Sequence, residues 1–143
     1  MAHGANGYAR TYRANAVLTA SPGQLVLMLY DGALAALADA KRHMTNKEIA
    51  AKGQALSKAI MIIESGLKAS LDIKAGGELG ERLAALYEYM CDRLLRANLH
   101  NRIEIIDEVA RLLVDLRGTW AQIKPASTGA NDSAAGEKLL RRA

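Results

Sequence analysis

Apolar residues recur at intervals of three and four through four successive stretches of the chain, the spacing of one face of an α-helix. Leu25, Met28, Leu29, Ala36 and Ala40 form the first stripe, and Ile49, Leu56, Ile60, Ile63, Leu67 and Leu71 the second. Leu79, Leu83, Leu86, Met90, Leu94 and Ala97 form the third; Ile106, Val109, Leu113, Leu116, Trp120 and Ile123 form the fourth. Proline occurs only at positions 22 and 125, so it brackets the whole pattern. Ser21 as N-cap, Pro22 at the first helical position and Gln24 reaching back predict a capping box at the first helix. Thr45 with Glu48, and Asn101 with Glu104, predict two more. The pair Gly76–Gly77 predicts the break between helices two and three, because adjacent glycines cost too much backbone entropy inside a helix. No stretch reads as a strand. The expected fold is all-α: an antiparallel four-helix bundle over residues 21–125.

The ends read differently. In residues 1–20, Tyr8, Tyr12, Val17 and Leu18 are too apolar for a purely solvated tail, so this segment is expected to pack on the bundle. Residues 126–143, opening "ASTGANDSAAGEK", have the composition of a flexible, disordered tail.

The pattern also leaves apolar residues over. From Leu25 to Tyr30 every position of "SPGQLVLMLY" is apolar, although one core stripe needs only Leu25, Met28 and Leu29. That places Val26, Leu27 and Tyr30 on the flanks of the first helix, and Leu34 lies off the stripe as well. Met61 and Ile62 stand off the second stripe, Tyr87, Cys91, Leu95 and Leu99 off the third, and Ile105 and Leu112 off the fourth. A wide core absorbs any one of them. All four helices carrying a second stripe is harder to absorb, because a fully exposed Leu or Ile forgoes roughly 1.5–3 kcal/mol of burial. Contiguous exposed patches mark interaction surfaces, and apolar grooves on a bundle suit a partner that supplies amphipathic helices.

Composition narrows the classes. A chain of 143 residues, half of them hydrophobic and 24% charged, is long enough for one globular domain with a real core. Its longest apolar run is far short of a membrane span, its N-terminus lacks the apolar region of a signal peptide, and Cys91 is its only cysteine; a cytoplasmic protein is expected. The net charge of +4 lies mainly in the ends: Arg10 and Arg13 in residues 1–20, then Lys138, Arg141 and Arg142 against Asp132 and Glu137 after residue 125. Without a basic stripe on the folded part, no nucleic-acid partner is expected.

Catalytic chemistry finds no foothold. Bundles that hold two metal ions use Glu-x-x-His motifs, but Ala40 and Ala97 stand three residues before His43 and His100, and His3 lies near the terminus. Cys91 sits mid-helix with no histidine near it in sequence, the setting of a packed thiol. Phosphate-binding and dinucleotide-binding loops are missing. No enzyme activity, metal or cofactor is expected.

Four stretches together are recognisable: "YARTYRANAVLTASPGQLVLMLYDGAL", "KGQALSKAIMIIESGLKASLD", "GGELGERLAALYEYMCDRLLRANLHN" and "IDEVARLLVDLRGTWAQI". Over residues 8–125 the chain resembles the flagellin export chaperones of the FliS family, most specifically in "TASPGQL", "LYDGAL" and "YEYM…RLLRAN". The resemblance implies a cytosolic chaperone of the flagellar type III export system. Such a chaperone binds the disordered C-terminal segment of flagellin in apolar grooves, blocks premature polymerisation, and presents the client to the cytoplasmic domain of the export-gate protein FlhA. It also implies that the N-terminal segment can occupy a client groove, with Tyr8, and less directly Tyr12, as export-gate contacts. The flagellin-groove candidates are then Val26, Leu27, Tyr30, Ile62, Tyr87, Leu95, Ile105 and Leu112. The competing expectation is a structural or regulatory bundle whose second stripes are buried in a homodimer, with no client.

Overall fold

A computed structural model describes residues 21–122, and within them the expected all-α architecture is present: helices joined by short turns, with no strand among the described residues. Helix α1 spans Pro22–Thr45 and begins as anticipated. The Ser21 hydroxyl accepts from the Gln24 N–H at 3.3 Å, and the Gln24 side chain accepts from the Ser21 N–H at 2.9 Å. Helix α2 spans Ile49–Met61 and continues without leaving the right-handed helical region into a π-helical segment, Ile62–Lys68. Helix α3 covers Ile73–His100, and α4 covers Ile103–Ala121. Each helix packs against its chain neighbours, and α1 also packs against α4, so the up-down-up-down path closes into an antiparallel bundle.

The other two capping boxes do not form, for a common reason. Thr45 is still the last residue of α1, and its hydroxyl bonds back to the Lys41 carbonyl at 2.9 Å. Lys47 takes a left-handed φ of 59°, which turns the Glu48 N–H onto the His43 carbonyl at 2.9 Å. At the end of α3, Asn101 takes a φ of 54°, and the Arg102 N–H reaches the Ala97 carbonyl at 3.1 Å. In both turns the chain closes the preceding helix with a Schellman-type bond instead of opening the next one with a side-chain cap. Glu48 and Arg102 become the N-caps, neither with a side-chain cap bond.

The glycine break is present, but an earlier interruption precedes it. The helical path of α2 ends at Lys68, ahead of Leu71, and helical backbone resumes at Ile73. Gly77 (φ 55°, ψ −133°) is non-helical and divides that short first stretch from the long helix that runs on to His100. Gly66 has a different role. A Cβ there would lie 2.9 Å from Leu29 Cδ2, so the missing side chain lets α1 close onto the π-helical segment.

The core follows the stripes of α3 and α4 closely: Leu83, Met90, Leu94, Ala97, Ile106, Val109, Leu113 and Leu116 are buried. On α1 the buried face is rotated from the expected one. Tyr30, Ala33, Ala36, Leu37 and Ala40 face inward, while Leu25, Met28 and Leu29 are half-buried. On α2, Leu56, Ala59, Ile63 and Leu67 are buried, but Ile49 is 72% exposed because it sits at the first turn, beyond the reach of the other helices. Lys52 is the buried charge among the described residues: its ammonium donates to the Asn98 carbonyl at 3.0 Å and to the Asn101 side-chain oxygen at 2.5 Å. It thus ties α2 to the C-terminal end of α3, where a cation opposes the partial negative charge of the helix dipole.

Two substitutions test this account. Leu113→Ala removes a fully buried side chain from the centre of α4 and should lower the unfolding free energy by about 2–5 kcal/mol in urea titrations. A change under about half a kcal/mol would mean that α4 is not packed as described. Lys47→Gly relieves a left-handed residue and should stabilise the fold by about 1 kcal/mol in the same assay; a loss of stability would contradict the turn geometry.

Candidate functional site

The run "LVLMLY" enters the core gradually. Leu25 through Leu29, including the candidates Val26 and Leu27, are all half-buried, and only at Tyr30 does burial become complete. Tyr30 and Tyr87 reach each other across the bundle, with their hydroxyl oxygens 2.6 Å apart. Both were expected on flanks; both are core residues, 0% and 1% exposed, because each hydroxyl supplies the partner that makes burial of the other tolerable. Ile105, 8% exposed, also lies inside. Among the remaining candidates, Ile62 and Leu112 are half-buried against the core and Leu95 is 57% exposed. Tyr8 and Tyr12 lie outside the described residues, as do the N-terminal segment and the tail to which they and the charged end belong.

Several exposed apolar side chains were not among the candidates: Ile49, Met61, Tyr89, Leu99 and Val114. Periodicity flags Met61 and Leu99 as off-stripe, but it does not say which off-stripe residues a neighbouring helix will cover. Tyr89 is partly engaged, its hydroxyl donating to Glu108 at 2.7 Å while Arg93 donates to the other Glu108 oxygen at 2.8 Å. Those two bonds, Tyr89's first, hold the Glu108 carboxyl below its ordinary range. Val114 lines a cleft of about 340 Å³ between α1 and α4, with Lys41, Asp107, Ala110, Arg111 and Asp115. The Lys41–Asp107 pair, at 2.9 Å, bridges that cleft, and its mixed charges favour neither an anion nor a cation.

Ion pairs join the helices around the bundle. Arg117 makes a two-pronged contact with Asp31, at 2.5 and 3.1 Å, between α4 and α1. Lys68 reaches Glu88 at 2.6 Å between the π-helical segment and α3. These pairs are solvent-exposed, so they align helices more than they stabilise them.

The titratable chemistry is that of a scaffold. Burial first, then the charge of Glu64, pushes the Cys91 thiol up to about 11, and the thiol points at the Ile60 carbonyl 3.8 Å away. A thiol so held is protonated at neutral pH and is a poor nucleophile. Among the described residues no three His, Cys, Asp or Glu side chains gather where they could hold a metal ion. Burial, then the charge and hydrogen bond of Tyr87, raises the Tyr30 phenol above its ordinary value of 10.0; burial likewise raises Tyr87, against a smaller lowering by its bond to Tyr30.

A closed helical bundle with a filled core and apolar side chains left on its flanks belongs to the class of all-α four-helix-bundle proteins. The family model described as "Flagellar protein FliS" matches residues 4–127. The flagellar secretion chaperone FliS of Salmonella typhimurium is 47% identical over 127 residues, covering 89% of this chain and 94% of that protein. That of Escherichia coli is 45% identical over 121 residues, covering 85% and 89%, and that of Bacillus subtilis 35% over 111 residues, covering 78% and 81%. The chain belongs to the FliS family of flagellar secretion chaperones.

The tyrosine pair makes a testable unit. Tyr30→Phe or Tyr87→Phe alone strands one buried hydroxyl and should cost about 1–3 kcal/mol, whereas the double replacement removes both and should cost less than the sum. Both phenols are raised in the folded state, so their contribution to stability is present below pH 10.0 and is lost as pH climbs above it toward the folded values. Urea midpoints measured across that range should therefore fall more steeply for the native protein than for the double variant. Additive single effects with parallel pH curves would show that the pair is not coupled.

Proposed function

We propose that this chain is a cytoplasmic chaperone of flagellar type III export that binds the disordered C-terminal segment of flagellin. Binding prevents premature polymerisation, and the complex is then presented to the cytoplasmic domain of the export gate, FlhA. The observation that carries the reading is a core already filled while Leu95, Leu99 and Met61 remain more than half exposed. Apolar side chains that folding does not bury are available to a client that folds on binding. The relatives' name, flagellar secretion chaperone, supports a flagellar client in particular. A cytoplasmic setting accords with a single cysteine and with helices none of which, among the described residues, is long and apolar enough to cross a membrane.

Within this reading Val26, Leu27, Ile62, Leu95 and Leu112 are the accessible groove positions, while Tyr30, Tyr87 and Ile105 support the grooves from the core side. Tyr8 and Tyr12 serve the export gate. The capping box at Ser21 starts the bundle independently of them, so gate contact and client binding are separable by mutation.

Size-exclusion chromatography with a flagellin C-terminal peptide should yield a heterocomplex; a homodimer that ignores the peptide would support the structural reading instead. Tyr8→Ala should leave peptide binding near normal by calorimetry and weaken capture by the cytoplasmic domain of FlhA. Loss of peptide binding with intact gate capture would overturn the division of labour.

A further inference from the structure

The outward side of α4 carries two opposite charges that the bundle leaves unpaired. Arg111 and Asp115 are exposed and one helical turn apart, and neither makes an ion pair among the described residues. The reasons are local. Acid-before-base pairs four apart do close on this surface, Glu78–Arg82 at 2.8 Å and Asp92–Arg96 at 3.2 Å. Arg111 and Asp115 stand in the reverse order, which a helix favours less. The acid four residues before Arg111 is Asp107, and Lys41 of α1 holds it at 2.9 Å. Glu108, three residues before Arg111, is occupied by Tyr89 and Arg93 of α3. Arg117, two residues beyond Asp115, is held by Asp31 of α1. Each neighbour on α4 that could neutralise the two charges is thus engaged elsewhere.

Beside them Ala110, Val114 and Gly118 follow at four-residue spacing and so lie one above another on the helix. Val114 is 55% exposed, and a Cβ on Gly118 would meet nothing within 4 Å. No group within the described chain uses the room that these small side chains leave. A second helix can approach here closely, with Val114 as its apolar contact. Positions 111 and 115 lie equally far on either side of Leu113, so a two-fold axis level with Leu113 makes the face complementary to itself. In an antiparallel pair of α4 helices, Arg111 of each copy then stands opposite Asp115 of the other. A parallel pair would instead set like charges against each other, which costs stability.

We propose that the α4 face formed by Ala110, Arg111, Val114, Asp115 and Gly118 joins two copies of this chain in an antiparallel two-fold dimer, with each Arg111 paired to the Asp115 of the other copy. The occupant is a second copy because the face holds one unpaired charge of each sign at symmetric positions. A purely acidic or purely basic partner would satisfy one of them and oppose the other. The second helix lies along the outer side of α4, outside the cleft shared with α1, so the Lys41–Asp107 pair stays in place. A face this small gives a weak, reversible dimer. It goes beyond the client reading and does not rest on it. Met61, Leu95 and Leu99 belong to α2 and α3, on the far side of the bundle from the α1–α4 edge, and the dimer leaves them uncovered.

The test is sedimentation equilibrium of the full chain over a wide concentration range. The native chain should show a concentration-dependent monomer–dimer equilibrium. Arg111→Asp leaves two acids on the face and Asp115→Arg leaves two bases, and each should weaken self-association about tenfold or more. Mixing the two variants, one of them fluorescently labelled, should restore association to the native level, because both cross-pairs then join opposite charges. The double variant Arg111→Asp with Asp115→Arg should likewise self-associate as the native chain does. Val114→Glu should abolish the dimer in every background. These positions are exposed, and circular dichroism checks that each variant is folded. Rescue by mixing separates a contact between copies from an effect within one chain, since a misfolded variant has nothing to gain from the other. A chain that stays monomeric throughout, a dimer indifferent to both single substitutions, or folded variants that fail to rescue each other overturns the proposal. A flagellin C-terminal peptide added to the native dimer reads the client reading separately: its binding or failure to bind leaves the charge-exchange result unchanged.

Discussion

A helix in a four-helix bundle can turn only one stripe of its surface inward, and the width of that stripe limits how much apolar surface the fold can hide. Here the limit is reached. Leu37, Leu56, Ile63, Leu67, Met90, Leu94, Ile106, Val109 and Leu113 are nearly or fully buried, and Ala33, Ala36, Ala40, Ala59 and Ala97 fill the positions where helices come closest. Once those places are taken, further apolar residues have only the helix flanks to occupy. Leu95 and Leu99 are therefore not a packing fault; they are what remains after the interior is full.

Polar groups inside the bundle set how it closes. The Tyr30–Tyr87 bond joins the two diagonal helices, α1 and α3, through an otherwise apolar interior. An apolar pair of the same volume would fill the space equally well but would not favour one axial position of α1 against α3. Lys52 acts between α2 and the C-terminal end of α3. By engaging the Asn98 carbonyl and the Asn101 side chain it satisfies groups that the end of α3 leaves open, and it holds α2 beside α3 where no large side chain bridges them.

The existence and order of the helices were legible because each carries a long, regular stripe, and the cap at Ser21 carries the full Ser-Pro-x-Gln signature. The caps at Thr45 and Asn101 misled because each lies in a short turn between two helices. With turns this short, the last residues of one helix and the first of the next compete for the same backbone groups, and closing the earlier helix won. Asn101 hints at its left-handed conformation, since asparagine tolerates it; Lys47 gives no such hint. The rotation of α1 was hidden by its own richness. When every residue from Leu25 to Tyr30 is apolar, periodicity cannot say which face turns inward, and the choice falls to the tyrosine that finds a hydroxyl partner 57 positions away. Tyr30 and Tyr87 left the flanks because each found that partner, whereas Ile105 is buried by apolar packing alone.

Exposure and charge together say more about a docking surface than either does alone. The α1–α4 cleft is lined by both signs of charge and is already bridged by Lys41–Asp107, so a partner entering it must displace an ion pair. The α3–α4 face is occupied by the Tyr89–Glu108–Arg93 cluster, whose members already satisfy one another. Between α2 and α3 the polar ties lie at the ends, and Met61, Leu95 and Leu99 stay exposed between them. Docking there displaces water from apolar surface and breaks no bond within the chaperone. Exposed apolar side chains held between two polar ties need no rearrangement of the scaffold to meet a partner.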